Sequence, residues 1–367
     1  MSFYQEYNQL NQLDFNSFFE EVNTADVERV LGKERLTKED FLTLLSPAAS
    51  NYLEEMAQKA SQLTLQHFGR TMLLYLPLYL ADYCVNQCLY CGFSVNNKFK
   101  RSKLDLAEIE EEAKIIAEKG IKHLLLLTGE SRKHSPVSYL KESVLLLKEH
   151  FPCLSIEVYP LEVAEYKELI AAGVEGLTIY QEVYDQEIYE EVHPQGPKSD
   201  YLYRLDAPER GCQAGMRQVN IGALLGLGQW RKEAFFAGLH AKYLQDNYLE
   251  TEVNLSVPRL RPHLGSFQPN SIVGDSQLVQ ILLAYRLFLP RAGLNLSTRE
   301  RAELRNNLLP LGITKISAES STEVGGYAES QEGTNQFDIS DDRDVDEITK
   351  LLGNKGYQTV FKNWHRI

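Results

Sequence analysis

The distribution of apolar positions divides the chain into two unlike regions. Residues 1–70 carry apolar side chains at helical spacing, whereas from Met72 onward short apolar runs alternate with amphipathic stretches. This alternation is typical of βα units that form a parallel sheet. Eight runs predict strands, at Met72–Leu80, His123–Thr128, Leu154–Tyr159, Gly176–Gln181, Gln218–Leu225, Glu252–Val257, Gly293–Ser297 and Thr314–Ala318.

Eight βα repeats predict an α/β fold, a (β/α)8 barrel of the TIM type. Its reactive groups are expected on the loops that follow the C-terminal ends of the strands. Asp105 and Glu108 form a capping box for one of the helices, which Gly120 ends.

Helix signals before the barrel set the first domain boundary. Thr37 can cap a helix, and Pro47 opens another that closes near Gly69. The chain is therefore predicted to divide into an N-terminal helical extension, a barrel and a C-terminal extension packed on the barrel, at residues 1–70, 71–320 and 321–367.

Charge and hydropathy exclude two classes of protein. The formal net charge of −13 argues against a nucleic-acid surface, because phosphate binding needs clustered Lys and Arg. Residues 1–12 lack the basic and apolar pattern of a signal peptide. The longest apolar run, Met72–Ala81, is about half as long as a bilayer requires. We therefore expect a cytoplasmic protein.

Three of the five cysteines lie within eight residues, directly after the first predicted strand. Cys84, Cys88 and Cys91 have the spacing CxxxCxxC, and three thiolates on one loop can ligate three irons of a [4Fe–4S] cubane and leave the fourth iron open. A zinc site is the first alternative, but zinc usually takes four ligands. A purely electron-carrying cluster is the second. The isolated Cys153 and Cys212 are predicted to be small buried hydrophobic residues.

The cysteine triplet resembles that of the radical S-adenosylmethionine (radical SAM) superfamily. The resemblance implies that S-adenosyl-L-methionine chelates the open iron and is cleaved to a 5′-deoxyadenosyl radical. It also implies that Tyr90, between the second and third cysteines, packs near the adenine. The barrel would then position the substrate and exclude water.

Polar residues and glycines at the ends of strands two to five are the candidate cofactor-binding residues. A Gly permits close approach of the backbone, and carboxylates suit a sulfonium or a ribose diol. The structural alternatives are an ordinary turn for the Thr128–Glu130 segment, salt bridges to neighbours for carboxylates such as Glu157, and an exposed helical position for Arg204. The candidates are Thr128, Gly129, Glu130, Glu157, Gln181, Glu182, Arg204, Gly222 and Gly226.

The end of the sixth strand supplies the candidate catalytic residues. Ser256, Arg259 and Arg261 lie within six residues there, and two arginines at a barrel mouth can hold a substrate carboxylate as planar forks. A surface loop is the alternative. We expect Arg259 to be the carboxylate clamp.

Later segments narrow the resemblance. Seven segments carry this narrower resemblance, in the order Cys84–Phe93, Tyr180–Glu182, Leu255–Arg259, Leu311–Ser317, Gly325–Tyr327, Gln336–Asp338 and Asp341–Arg343. Together they resemble the ThiH family of tyrosine lyases (2-iminoacetate synthases) of thiamine biosynthesis. The resemblance implies cleavage of the Cα–Cβ bond of L-tyrosine to 2-iminoacetate and p-cresol, a complex with the thiazole synthase of the pathway, and an electron donor such as flavodoxin or ferredoxin.

Three other classes remain open at this point. The tyrosine lyase that matures [FeFe]-hydrogenase carries a cysteine-rich C-terminal domain, whereas no cysteine follows Cys212 here. Biotin synthase and its relatives need a sulfur source for which the sequence offers no ligands. A non-catalytic iron–sulfur protein would not need polar groups at the ends of most strands.

Overall fold

The computed structural model describes residues 2–328 and 334–362. Its centre is a closed barrel of eight parallel strands, because β1 pairs with both β2 and β8. The eight predicted strands are confirmed, with bounds β1 Thr71–Ala81, β2 His123–Thr128, β3 Cys153–Glu157, β4 Val174–Thr178, β5 Gln218–Gly222, β6 Glu252–Ser256, β7 Gly293–Leu296 and β8 Lys315–Ser317. The fold is therefore a TIM-type (β/α)8 barrel.

Helices surround the barrel and precede it. The first five are α1 Phe3–Leu10, α2 Phe15–Glu21, α3 Thr24–Leu31, α4 Lys38–Leu44 and α5 Leu53–Phe68. The others are α6 Leu106–Glu118, α7 Val137–Leu147, α8 Val163–Ala172, α9 Gln186–Val192, α10 Tyr201–Leu205, α11 Ala207–Ala214, α12 Trp230–Asn247, α13 Asp275–Phe288, α14 Ala302–Leu308 and α15 Val345–Asn354. Short 3-10 segments lie at Ala48–Tyr52, Pro197–Ser199 and Leu309–Leu311.

The predicted helix caps at Thr37 and Asp105 are confirmed. Thr37 accepts a hydrogen bond from the backbone of Asp40 at the start of α4, and Asp105 caps α6 in the same way. The N-terminal helices pack on the outside of the barrel, where the ring of Phe41 stacks on that of Phe288 with centroids 4.4 Å apart. Pro47 begins a 3-10 segment, not an α-helix.

Strands three to five end earlier than predicted. β4, for example, ends at Thr178 and not at Gln181. The chain beyond β4 keeps isolated strand-like contacts. The backbone N–H of Gln181 donates to the carbonyl of Gly222 at 3.1 Å, and Glu182 forms an isolated parallel β-bridge with Ala223. These extensions carry polar side chains into the mouth of the barrel.

The C-terminal region adds a strand that the sequence analysis does not predict. β9, Gln358–Val360, pairs in parallel with Thr71–Leu73 of β1. Before it, residues 334–341 cross the barrel mouth, where the backbone of Gln336 accepts a hydrogen bond from Gly92 at 3.2 Å. Within the described residues, no helix is long and apolar enough to cross a membrane.

Candidate active site

The loop after β1 is held in shape by contacts on both sides. Arg101 donates to the carbonyl oxygens of Asp82 and Phe93, at 2.8 Å each. Asn86 donates to the Glu130 carboxylate at 2.6 Å and accepts from the Lys198 amide at 2.9 Å. The loop therefore has a defined conformation that does not depend on its cysteines alone.

Cys84, Cys88 and Cys91 line one cavity of about 610 Å³ at the C-terminal end of the barrel. Burial raises the pKa of the Cys88 and Cys91 thiols, and the neighbouring cysteines raise it further. Buried thiols of this kind become thiolates when metal cations balance their charge.

The arrangement of the thiols fits a cluster better than a single ion. Among the described residues, no three His, Cys, Asp or Glu side chains are placed to share one metal ion. A zinc ion needs its ligands gathered around one centre, whereas a cubane spreads three thiolates over three irons. Cys153 and Cys212 are buried and free elsewhere, as predicted.

The loop after β2 supports the cysteine loop. A Cβ on Gly129 would lie 2.5 Å from the carbonyl oxygen of Tyr83, so a glycine is required where the two loops meet. The predicted reason was an approach to the cofactor; the structure shows an approach to the backbone of the cysteine loop. Glu130 acts as the acceptor for Asn86, and the buried Thr128 hydroxyl, which has no partner among the described residues, faces the cavity.

Glu182, Lys198 and Arg204 form a buried charge cluster beside the cysteines. The Glu182 carboxylate accepts hydrogen bonds from Lys198 Nζ at 2.7 Å and from Arg204 Nη2 at 3.3 Å. Burial alone would raise the pKa of Glu182, but the two cations outweigh it and lower the pKa. Glu182 also has a φ of 71°, which is uncommon for a residue other than glycine.

Arg204 is held by the carbonyl of Tyr180 at 2.7 Å, in addition to Glu182. Arg204 is buried, so it is not the exposed helical arginine that was the alternative, and its role toward the cofactor stays a prediction. Lys198 was missed, because it lies on a short 3-10 segment between α9 and α10 with no motif around it.

A second cavity of about 690 Å³ lies inside the barrel; we call it the barrel cavity. Its lining combines aromatic and apolar side chains with polar and charged groups. Its lining includes Tyr75, Pro77, Tyr79, Leu125, Leu127, Glu157, Tyr180, Ser256, Asn295, Arg299 and Phe337. Ser256 is thus in the cavity wall, with its hydroxyl donating to Asn220 at 3.1 Å.

Glu157 connects the two cavities, since it lines both the barrel cavity and the cavity of the cysteines. Burial raises its pKa to about 7; Glu182 adds to the shift, while Arg299, Arg204 and Lys198 oppose it. No salt bridge to Glu157 is found among the described residues. Its carboxyl group can therefore change protonation near neutral pH.

Arg259, the predicted carboxylate clamp, is held by ion pairs within the protein. Its Nε donates to Glu300 at 2.9 Å, its Nη2 donates to the same carboxylate, and its Nη1 lies 3.0 Å from Asp275 and from the carbonyl of Val273. All three nitrogens of the guanidinium therefore have partners within the protein. Arg259 braces loops in this structure, and its role as a carboxylate clamp stays a prediction.

Arg261 lines the mouth of the barrel together with Tyr90 and Cys91. Its Nη2 donates to the Ser340 hydroxyl in the segment that crosses the mouth, and its Nε has no acceptor among the described residues.

Arg299, which the sequence analysis missed, faces the barrel cavity instead. Its guanidinium carbon lies 3.3 Å from the centroid of the Phe337 ring, and its nearest hydrogen bond is a 3.5 Å contact to the Arg259 carbonyl. Burial lowers its pKa. Arg299 lies just after β7, in the same position relative to its strand as Arg259 after β6. This position is the sequence signal by which Arg299 could have been predicted.

The remaining predicted residues are distributed as follows. The buried Tyr90 hydroxyl lies 2.7 Å from Nε2 of His193, which fixes its ring. Gly222 is needed because a Cβ there would lie 2.2 Å from the Ser256 carbonyl, and Gly226 has a φ of 120°. The side-chain amide of Gln181 is buried, and neither its oxygen nor its nitrogen has a hydrogen-bond partner among the described residues. Gln181 lines neither of the two cavities. The assignment of these residues to the cofactor stays a prediction.

A parallel barrel with a three-cysteine loop at its C-terminal mouth defines a radical SAM enzyme. The chain matches the Radical SAM superfamily model over residues 78–234 and the Biotin and Thiamin Synthesis associated domain over residues 256–358. It is 42% identical to the 2-iminoacetate synthase of Escherichia coli (strain K12), over 96% of this chain and 95% of that protein. The chain belongs to the 2-iminoacetate synthase family.

A second 2-iminoacetate synthase, from Salmonella typhimurium, is 40% identical over 93% of this chain and 90% of that protein. Among solved structures, the [FeFe]-hydrogenase maturase HydG superposes with a TM-score of 0.87 at 30% identity, covering 98% of this chain and 79% of that one. Methylornithine synthase, at 24% identity and a TM-score of 0.74, shares the fold. The protein is a lyase that uses a [4Fe–4S] cluster and S-adenosyl-L-methionine.

Gln336 is expected to tune the cluster. Its Nε2 lies 3.9 Å from Cys91 Sγ, and its Oε1 accepts from the Tyr79 hydroxyl at 2.7 Å, which orients the amide N–H toward the sulfur. Hydrogen bonds to cluster sulfurs favour the reduced, more negative state. Gln336→Leu should therefore lower the reduction potential of the cluster in a redox titration followed by electron paramagnetic resonance.

The matched control is Asn335→Ala, since the Asn335 side chain bonds Thr322 and not a cysteine. A potential that is the same in the wild-type protein and in Gln336→Leu would contradict a role for this hydrogen bond.

Proposed function

We propose that the enzyme cleaves the Cα–Cβ bond of L-tyrosine to give 2-iminoacetate and p-cresol. The observation that carries this proposal is the lining of the barrel cavity, which combines an aromatic and apolar part with a charged part made of Glu157, Arg299 and Glu300. A zwitterionic amino acid with a phenol ring needs both parts.

Glu157 and Arg299 suit the two ends of the amino acid. Arg299 can hold the carboxylate as a planar fork, since no carboxylate pairs with its guanidinium among the described residues. Glu157 suits the amino group, and it also lines the cavity of the cysteines. An amino nitrogen held there lies between the substrate and cofactor sites.

The cluster and S-adenosyl-L-methionine, when bound, supply the 5′-deoxyadenosyl radical. The residues of the chain prepare the substrate for it. Glu157, with a pKa of about 7, can accept a proton from the substrate ammonium and leave a neutral amine whose N–H bond is open to hydrogen abstraction. Phe337 covers the cavity from the segment that crosses the mouth, which limits access of water.

A pH profile tests the role of Glu157. The ionised carboxylate is the proton acceptor, so the rate of p-cresol formation should rise as pH increases through about 7. Glu157→Gln should lower this rate and remove the rise, because the amide does not titrate. The exposed Glu168, which pairs with Lys141, is the control position, and Glu168→Gln should keep the wild-type profile. An unchanged profile in Glu157→Gln would assign the proton acceptor to another group.

Product analysis tests the reaction itself. Reconstituted, reduced enzyme with S-adenosyl-L-methionine and L-tyrosine should form 5′-deoxyadenosine, p-cresol and glyoxylate, the last by hydrolysis of released 2-iminoacetate. Carbon monoxide and cyanide should be absent; their formation in stoichiometric yield would indicate the chemistry of a hydrogenase maturase. Formation of 5′-deoxyadenosine without p-cresol would exclude tyrosine as the substrate and leave the radical chemistry in place.

Two partners follow from this chemistry. Because the imine hydrolyses readily, direct transfer to the thiazole synthase of the thiamine pathway would limit its loss. A flavodoxin or ferredoxin would supply the electron that reduces the cluster. Addition of the thiazole synthase to the reaction should lower the glyoxylate yield without lowering that of p-cresol, whereas equal glyoxylate with and without it would argue against transfer.

A further inference from the structure

The barrel has another cavity at its opposite end, where the strands begin; we call it the lower cavity. Its wall is formed by the first residues of β1, β5, β6 and β8 together with β9, and includes Leu73, Arg217, Gln218, Glu252, Asn254, Lys315 and Lys362. In barrels of this type the interior is usually filled by branched apolar side chains. A polar wall at this end therefore needs an explanation.

Lys315 is the central cation of the lower cavity. It is only 8% exposed, and its Nζ makes one weak hydrogen bond, to Gln218 Oε1 at 3.5 Å, and lies 4.8 Å from the centroid of the Tyr75 ring. Burial lowers its pKa to about 8, while Cys153 and Glu252 oppose the shift and Arg217 adds to it. The ammonium is therefore mainly protonated at neutral pH, with donor capacity left over.

Two further donors in the same wall lack acceptors. Asn254 is 2% exposed, and its Nδ2 has no hydrogen-bond partner among the described residues. The same holds for Nε of Arg217, whose Nη2 donates to Glu175 at 3.0 Å. Buried donors without acceptors are costly, so a group that accepts hydrogen bonds is the ligand that suits this wall.

The charge of the wall points to an anion. Lys315, Arg217 and Lys362 line the wall with one carboxylate, Glu252. Arg217 is already paired with Glu175 at 3.0 Å and lies 4.0 Å from Glu252, so Lys315 is the buried cation of the wall that has no carboxylate partner among the described residues. A small oxyanion carries both the negative charge and the acceptor atoms that the three nitrogens lack.

The lower cavity lies on the same inward-facing rows as the barrel cavity. Side chains two residues apart on a strand share a face. Leu73, Asn254 and Lys315 line the lower cavity, and the residues two positions further along their strands line the barrel cavity, namely Tyr75, Ser256 and Ser317. About one layer of side chains, with Tyr75 in it, separates the two.

We propose that the lower cavity is a binding site for a small oxyanion, held by Lys315, Asn254 and Arg217. The ligand is a small carboxylate, of the class to which glyoxylate belongs, or inorganic phosphate, which offers the same acceptor chemistry. The site is distinct from that proposed for tyrosine, because Lys315 and Arg299 line different cavities.

Calorimetric titration of the reconstituted holoenzyme tests this proposal, with glyoxylate and inorganic phosphate in separate arms. Saturable binding of one anion per chain is expected, and the arm with the tighter binding identifies the source of the oxyanion. Lys315→Met should weaken that binding about tenfold or more, since it removes a charge-assisted hydrogen bond. Asn254→Asp, which exchanges a donor for a carboxylate of the same shape, is the second variant and should weaken it as well.

Arg299→Gln is the control for binding in the barrel cavity and should leave the affinity unchanged. The proposal is overturned if neither anion binds, if both lower-cavity variants bind like the wild type, or if Arg299→Gln abolishes binding. Since no turnover is needed, this result is separate from the product analysis, and either proposal can fail alone.

Discussion

Replacing any one of Cys84, Cys88 and Cys91 by Ala is expected to abolish formation of 5′-deoxyadenosine. In the predicted site each thiolate would hold a different iron, so the loss of one would open a second iron to solvent or release the cluster. The buried Cys88 has no substitute, because the other two cysteines of the described chain are separate free thiols on β3 and α11. Iron content and 5′-deoxyadenosine yield after anaerobic reconstitution measure the effect.

Cys153→Ala and Cys212→Ala are the matched controls for these variants. Both residues are buried and free, and neither lines the cavity of the cysteine loop. Their loss should leave the iron content and the yield of 5′-deoxyadenosine near wild-type values. A triple variant of the loop that still bound four irons and cleaved S-adenosyl-L-methionine would show that the cluster ligands lie elsewhere.

Most of the fold can be predicted from the sequence because the strands of a closed parallel barrel are apolar runs. β2, for example, is buried from His123 to Leu127. The ninth strand has no such signal. Its three residues, Gln358–Val360, are exposed or half-exposed, and only their pairing with Thr71–Leu73 makes them a strand. Long-range pairing of this kind leaves no local pattern.

The cysteine loop is also predictable, because all three ligands lie within eight residues of one another. The arginines differ in this respect. Arg259 and Arg299 each follow a barrel strand, and the sequence offers no means to decide which one faces the cavity. Glu300, 41 residues from Arg259, takes up its guanidinium together with Asp275. The contacts of Arg259 come from tertiary neighbours, so the sequence alone could not show that Arg299, unlike Arg259, has no carboxylate partner among the described residues.

The charge cluster was predicted only in part for the same reason. Glu182 and Arg204 were candidates because they follow the fourth strand, but the pairing that lowers the pKa of Glu182 also depends on Lys198. Glu157 has the opposite shift, although both carboxylates end neighbouring strands. Burial dominates for Glu157, whereas the ion pairs dominate for Glu182. Two carboxylates thus differ in protonation near neutral pH because of contacts that no motif encodes.

The second large effect is expected at Arg299. Arg299→Lys should lower kcat/KM for tyrosine by about 100-fold, a loss that corresponds to one strong charged hydrogen bond. Lys keeps the positive charge but not the planar pair of donors that matches a carboxylate. The affinity for S-adenosyl-L-methionine should change much less than kcat/KM for tyrosine, because Arg299 lines the barrel cavity and reaches only the mouth beside Cys91, not the cavity that all three cysteines line. Steady-state formation of p-cresol over a range of tyrosine concentrations measures the effect.

Arg301→Lys, the same substitution two residues further along the loop, is the control. Arg301 has a side chain that is 53% exposed and pairs with Asp275 at 2.6 Å, so Arg301→Lys keeps an ion pair outside the cavity and should leave kcat/KM unchanged. A structural loss at Arg299 would lower the binding of tyrosine and of S-adenosyl-L-methionine together, whereas loss of a carboxylate clamp affects tyrosine much more. A wild-type tyrosine dependence in Arg299→Lys would instead move the clamp to Arg261, the other arginine at the mouth with a free donor among the described residues.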